Sequence, residues 1–573
     1  MANWSEMPQR NRAGLASVTC RVPRFHPLDK GIWKYYRAPP SRIQCKEREI
    51  NFASVHLDTE ELELLPAASS SYCYLEDVLR EGDDNVIFSN RRRLTVGRHR
   101  LAPKECVQAV RVSCFNIFGL TIYSHIFLVP PKVILKPAYT GKLDNVIGDR
   151  TQNKDKGRKN VFIFGVDSVS RLAAIRLLPL TYNYLVYNLS AVVMRLHHKV
   201  GDNTFPNLMT ILSGDRQEPT INGTPSHNVD TWPLIWKRFS DEGYETFYGE
   251  DFPSYATFNY LRSGFRHPPT NHYMRPFWLA VENSMLMRSS SVLCYGTKPK
   301  YKLHLDYIKY FIQKARTSPY FAFSFLVEIS HEYQEYVGAA DQHFVEILSL
   351  LREQVLAGET LLVILSDHGH RFDSIRQSPQ GHIEERLPFV SIVTADPRQQ
   401  SILEYNSNML TSHYDLYEVL RSLLPERSQP ESTKYGINIL QDKVPNNRTC
   451  AQAGIPEVFC TCENGPSRRS DDRDAAANST AKRAVEFINK MIQDDVASRS
   501  RCKALSLAYV RSVFPVGQET VIGFETAPGE AFFELRLRNL SDPLSETMFS
   551  RINRYGTPCI KNDILRKYCY CGP

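Results

Sequence analysis

The chain has 573 residues, more than one core of ordinary size accommodates, so two to four domains of about 150 residues each are expected. A composition of 42% hydrophobic and 23% charged residues is that of a folded protein and excludes a largely disordered chain. The net charge of +8 is mild and the two signs are interspersed, which excludes nucleic acid as the expected partner; the basic runs NRRRLTVGRHR at 90–100 and PSRRSDDRD at 466–474 read as solvated faces or loops.

The opening MANWSEMPQRNRAG has no apolar h-region and does not read as a signal peptide. Residues 1–138 hold five cysteines, turn clusters and strand-like runs such as VQAVRVSCFNIFGLTIYSHIFLV, so a small β-rich, disulfide-tied module is expected there. The longest apolar run, FNIFGLTIYSHIFLVPP at 115–131, is interrupted by Ser, Thr and His and falls short of the ~20 residues that a membrane span needs. A polar, glycine-containing stretch at 139–160 reads as a linker.

The pattern then changes. NVFIFGVDS, MTILS, ETFYGED, YFAFSFLVEIS, TLLVILSDHG and LPFVSIVTA are short apolar runs, separated by amphipathic stretches such as VDTWPLIWKRFSDEG and DQHFVEILSLLREQVLA. Strands alternating with helices predict an α/β domain over 155–445, built on a mostly parallel sheet covered on both faces. Residues 446–573, where cysteines return and RAVEFINKMIQDDV reads as a helix before further strands, are expected to form a C-terminal cysteine-rich α+β module.

Of the thirteen cysteines only Cys294 lies between the two ends of the chain, and no pair has C-x-x-C spacing. Wide separations and C-x-C pairs suit structural disulfides in an oxidising compartment, with one thiol left over. N-x-S/T sequons at Asn3, Asn188, Asn222, Asn447, Asn478 and Asn539 agree with an extracellular or secretory-lumen location. The sequence reads as the luminal part of a protein whose leader or anchor it does not include.

Ligands of open α/β sheets collect beyond the carboxyl ends of the strands. Two apolar runs end there in acids, VFIFGVDSVSR at Asp167 and TLLVILSDHGHR at Asp367 with His368 beside it. Carboxylates and imidazole converging on a dry edge repel one another unless a cation neutralises them. Between these runs, KVGDNTFPNLMTILSG sets Thr204 before a rigid Phe205–Pro206 step, predicting a shaped loop that opens a helix at Asn207. That threonine is either an ordinary helix cap or a hydroxyl held where helix amides favour an anion. Beside a metal it becomes a nucleophile, with Asn207 and Arg171 as contacts for the oxygens of a tetrahedral ester. Ser168 is the second choice of nucleophile. Arg171 reads equally as a surface salt-bridge residue.

The order GVDS, then TFPN…SG, then SDHG resembles the alkaline phosphatase superfamily. The runs VDSVSRLAAIRLLPLTYNYL, YGEDFP and SDHGHRFDSIRQSPQGHIEERLPF, with the cysteine-framed ends, resemble the sulfatase-like animal family called domain of unknown function 229, from about Cys20 to the C-terminus. The resemblance implies an alkaline-phosphatase-like three-layer sandwich flanked by small disulfide-tied modules. It implies a metal site of Asp167, Thr204, Asp367 and His368, with Thr204 as nucleophile, and one or two divalent ions, zinc or calcium. For a second ion, Glu328, His331 and His382 are further candidates, with His370 and His413 competing for the last place. The C-x-P-S-R-type motif of sulfatases proper is missing, and Cys294 in SVLCYGT does not supply it. The implied function is a metal-dependent hydrolase or transferase acting on a phosphate or sulfate ester, with no nucleic acid partner and no membrane anchor in this chain. A catalytically silent extracellular binding or scaffold protein on the same fold is the alternative.

Overall fold

The computed structural model describes residues 20–46, 51–101, 107–129, 158–221, 224–225, 228–315, 319–462, 473–516, 519–553, 559–560, 562 and 564–571. Nearly all of the expected linker at 139–160, together with Cys106, Asn3 and Asn222, lies outside them.

A seven-stranded mixed sheet organises the middle of the chain. Its strands are β1 (Asn160–Val166), β2 (Val192–Val193), β3 (Glu245–Glu250), β4 (His272–Tyr273), β5 (Tyr320–Leu326), β6 (Thr360–Leu365) and β7 (Val390–Val393), in the spatial order β4-β3-β5-β1-β6-β7-β2. The five from β4 to β6 run parallel. β7 and β2 close one edge with antiparallel pairs.

Both faces of this sheet are dry, so each of its strands can be apolar throughout. β1 illustrates the consequence: Phe162, Phe164 and Val166 join one core with Phe344, Ile347 and Leu351 of the helix Asp341–Leu356. Val161 and Ile163 join the other with Leu208, Ile211 and Leu212 of the helix Thr204–Ser213. Alternate side chains of one strand thus glue helices to opposite faces.

MTILS, read as a strand, is the last half of that Thr204–Ser213 helix. The helix also starts at Thr204 and not at Asn207, because a proline in the first helical turn forfeits no internal hydrogen bond. Gly214, at φ 79°, ends it in the left-handed conformation, with its N–H on Thr210 O.

Before the central sheet lies a four-stranded antiparallel sheet in the order Asn85–Leu94, Tyr72–Glu81, Ala109–Phe115, Thr121–Leu128, beside a smaller three-stranded sheet. After it, the helix Arg473–Asp494 packs on a second four-stranded antiparallel sheet through Ala481, Ile488, Phe524 and Phe533. Six disulfides join Cys20–Cys462, Cys45–Cys294, Cys73–Cys114, Cys450–Cys460, Cys502–Cys569 and Cys559–Cys571. Two of them reach across the chain: Cys20 staples the N-terminal segment to Cys462, and Cys45 takes up the isolated central Cys294. Among the described residues no helix is long and apolar enough to cross a membrane.

Candidate functional site

β1 and β6 are paired neighbours, with Leu365 opposite Gly165, so both leave the sheet at the same edge. Asp167 follows β1 directly, and Ser366–Asp367–His368 follow β6. The three candidate ligands Asp167, Asp367 and His368 are buried, and their ligand atoms lie within 4.8 Å of one another.

Short bonds fix the two carboxylates from behind. Ser168 sits at φ 62°, a costly conformation for a residue with a Cβ. That turn lets its N–H reach Asp367 Oδ1 at 3.1 Å while its hydroxyl donates to Asp167 Oδ1 at 2.6 Å. Ser330 Oγ donates to the Asp167 carbonyl at 2.6 Å, and His413 Nε2 to the Asp367 carbonyl at 2.7 Å. The second oxygens, Asp167 Oδ2 and Asp367 Oδ2, are buried and accept no hydrogen bond.

His368 completes the set. Its Nδ1 lies 2.9 Å from the Gly369 carbonyl, so this nitrogen carries a proton, and Nε2 faces Asp367 Oδ2 at 3.1 Å. Anchoring one ring nitrogen on a carbonyl in this way is how a metal-binding histidine is oriented. Two buried carboxylates facing one another in a dry pocket repel, and a divalent cation would relieve that repulsion. The residues present therefore fit such an ion: Asp167, Asp367 and His368 could hold it, with Thr204 at its open side.

Thr204 opens its helix partly exposed, and its hydroxyl is among the groups that act on the Asp367 carboxyl. Burial and the charge of Asp367 push the Asp167 carboxyl well above the usual range. For Asp367 burial is the largest influence, yet His368, the Ser168 N–H and the Thr204 hydroxyl together hold its carboxyl below the usual range. Arg371, buried with Nη2 3.2 Å from Asp202 Oδ2, is the cation whose charge acts on Asp167.

Several expected site residues lie elsewhere. Asn207 is fully buried: Oδ1 accepts from the Val200 and Gly201 N–H at 2.8 and 2.9 Å, and Nδ2 donates to the Gly201 and Asn203 carbonyls at 3.0 and 2.9 Å. With both donors engaged it shapes the loop before Thr204 and has none left for an ester. Arg171 begins the helix Arg171–Leu177. Burial lowers its guanidinium most, and the charged or polar groups that act on it are Tyr182, Arg195 and Glu384.

Glu328 forms a 2.6 Å ion pair with the buried Lys300, and burial raises its carboxyl to about 7. His331 Nδ1 lies 3.1 Å from Glu332 Oε1. His382 Nδ1 contacts Glu534 Oε2 at 2.8 Å, in a buried ionic layer that also contains Arg376, Glu385 and Arg386. His370 Nδ1 accepts the Phe372 and Asp373 N–H at 3.2 and 2.9 Å. His413 supports Asp367 from behind, and its Nδ1 lies 3.0 Å from His197 Nε2. Among the described residues the other groupings of potential ligands are cysteines of the disulfides.

Arg371 and the supporting Ser330 were not singled out in the sequence. A signal existed for the arginine, since GVDSVSR and SDHGHR both carry an arginine four residues after the aspartate. The spacing is the same, but residue 171 is committed to a helix start and residue 371 to a loop beside the cluster.

The family model described as Protein of unknown function (DUF229) matches residues 40–511. The chain belongs to this family. No curated protein matches it. Solved structures similar to this DUF229 member include the C-terminal periplasmic domain of phosphoethanolamine transferase EptC from Campylobacter jejuni, 13% identical over 50% of this chain and 96% of that one, with a TM-score of 0.31. Lipoteichoic acid synthase LtaP from Listeria monocytogenes is 11% identical over 50% and 76%, with a TM-score of 0.33. A protein in the alkaline phosphatase superfamily from Vibrio parahaemolyticus is 10% identical over 72% and 84%, also at 0.33.

Proposed function

We propose that this DUF229 member is a metal-dependent hydrolase or transferase of phosphate or sulfate esters, working through Thr204 as nucleophile on an alkaline-phosphatase-like domain. The observation that carries the reading is the cluster of Asp167, Asp367 and His368, in which two buried carboxylate oxygens accept no hydrogen bond and the Thr204 hydroxyl acts on the Asp367 carboxyl.

A divalent cation bound there supplies Lewis acidity, easing loss of the threonine proton and offsetting charge on the ester. Asp167, Asp367 and His368 would hold that ion. One imidazole with carboxylates favours zinc over calcium, which takes six to eight oxygen ligands. The Thr204 hydroxyl, beside Asp367, meets the incoming ester: the phosphorus or sulfur bonds to Oγ1 as the bond to the leaving oxygen breaks, and the threonine proton passes to that oxygen, which departs as the alcohol. Arg371 attracts the anion. The half-exposed position of Thr204 leaves one side open for the ester and, afterwards, for the water or alcohol that accepts the transferred group.

Among the described residues one cluster joins an imidazole to carboxylates, which supports a single ion. Glu328, a candidate for a second, already has Lys300 as its counterion. Release of p-nitrophenol from p-nitrophenyl phosphate, bis-p-nitrophenyl phosphate and p-nitrophenyl sulfate, with and without chelator, tests the reading. Turnover of at least one ester, lost on chelation and restored by zinc, is expected; turnover indifferent to chelation contradicts it.

A further inference from the structure

The longest apolar run, FNIFGLTIYSHIFLV, does not bury its centre. It forms a hairpin between the strands Ala109–Phe115 and Thr121–Leu128, and at its tip Ile117, Phe118, Leu120 and Ile122 are 74, 81, 64 and 44% exposed. Isolated exposed apolar residues are ordinary, whereas four large ones among the six residues of a turn and its adjoining strand start are not.

The turn is ordered. Asn116 Oδ1 accepts the Phe118 and Leu120 N–H at 3.0 Å each, Gly119 takes φ 76°, and Cys73–Cys114 ties Ala109–Phe115 to its other neighbour, Tyr72–Glu81. The apolar side chains therefore stand out from a rigid base.

The basic run at 90–100 reaches the same end of the sheet. Tyr72 pairs with Phe115, Cys73 with both Cys114 and Leu94, and Tyr74 with Arg93. Arg91 lies over the rings of Tyr74 and Phe115, at 3.9 and 5.3 Å from their centroids, and Arg93 lies over Tyr72 at 5.6 Å. Both arginines are exposed, and among the described residues neither has a carboxylate within ion-pair distance. Arg92 differs, pairing with Asp77 at 2.9 Å. Val96, 46% exposed, caps the adjoining turn.

We infer that this end of the N-terminal sheet docks on an anionic lipid bilayer, with Ile117, Phe118, Leu120 and Ile122 entering the interfacial region and Arg91 and Arg93 contacting headgroup phosphates. Charge complementarity decides the occupant: arginines held at the base of an apolar tip match acyl chains beneath a negatively charged surface. The shape agrees, because a narrow projecting turn offers far less than the roughly 800 Å² per partner of a stable protein interface. This inference is independent of the reading of the metal cluster.

Cosedimentation of the full chain with phosphatidylcholine vesicles, with and without about 30% phosphatidylserine, tests it. Binding to the phosphatidylserine vesicles is expected, weakening between about 0.1 M and about 1 M salt as charges are screened. The double variant Ile117→Ser/Phe118→Ser should bind about tenfold or more weakly, since two large apolar groups no longer leave water. Arg91→Gln/Arg93→Gln should lose about tenfold on phosphatidylserine vesicles and little on phosphatidylcholine alone. All four positions are exposed, so unchanged thermal melting is expected for both variants. Failure of the wild-type chain to bind either vesicle, or binding unaltered by both double variants, overturns the inference. So does self-association of the wild-type chain abolished by Ile117→Ser/Phe118→Ser, which would make the tip a protein interface.

Discussion

The Thr204 hydroxyl helps to hold the Asp367 carboxyl below its usual range, linking the first residue of a helix on one face of the sheet to the residues that follow a central strand. Nothing in local backbone structure requires this contact. If Thr204 is the nucleophile, Thr204→Ala should lower kcat by on the order of 10³-fold or more while thermal melting stays within about 1 kcal/mol of wild type. Thr204→Ser, which keeps a hydroxyl, should retain measurable turnover. Activity in the alanine variant equal to wild type would remove the nucleophile assignment.

The two arginines at equivalent spacing give a paired comparison. Arg371 acts on Asp167 and Arg171 does not. A charged hydrogen bond to an anion contributes about 1.5–3 kcal/mol, so Arg371→Ala should raise KM about tenfold to a hundredfold. Arg171→Ala should leave KM unchanged, its effect confined to stability. Steady-state kinetics of both variants check the contrast.

His413 touches no open part of the cluster, yet its Nε2 holds the Asp367 carbonyl while Nδ1 meets His197, whose own Nδ1 lies 3.1 Å from Thr411 Oγ1. Groups that orient a ligand in this way typically contribute tenfold to a hundredfold in metal affinity. His413→Phe should weaken zinc binding by about that factor in competition with a chromophoric chelator. Affinity equal to wild type would show that Asp367 is positioned without it.

How far the sequence reached depends on which physical signal each residue left. Asp167, Asp367 and His368 were legible because continuous apolar runs mark buried strands, and polar residues at the ends of such runs stand out. The helix start at Thr204 was misplaced because a proline in the first turn reads as a break although no hydrogen bond is lost there. Asn207 was assigned to the ester on residue type, but the groups it ties, Val200 and Gly201, precede the helix and follow no periodic pattern. His382 precedes a strand as expected of a ligand, yet its partner Glu534 belongs to a strand of the C-terminal sheet. Pairings at such separations leave no trace in local spacing.

That ionic layer sets the response to acid. Burial raises the Glu385 carboxyl, but Lys199, Arg376 and Arg386 outweigh it and hold the group at about 2, below its ordinary 4.5. A depressed carboxyl stabilises the fold fully above about 4.5, and this contribution is lost as pH falls toward about 2, since the unfolded chain takes up the proton first. Melting temperature of the wild-type chain should therefore drop across that window. In Glu385→Gln it should start lower and fall less steeply.

Glu534 joins the same layer from the other side, accepting from Arg376 Nη1 at 2.6 Å. Glu534→Ala leaves Arg376 and Arg386 buried beside a lost counterion, for which the expected destabilisation is about 3–5 kcal/mol. Denaturant unfolding of this variant measures it. A loss within experimental error would mean that the arginines find other partners.

The central claim is that Asp167, Asp367 and His368 gather around a divalent ion, and metal analysis of the purified full chain tests it most directly. One equivalent of tightly held zinc or a similar transition metal is predicted in the wild-type chain, absent from the folded Asp167→Asn/Asp367→Asn variant. A folded wild-type chain that takes up no divalent ion, or an equal metal content in that variant, would contradict the account.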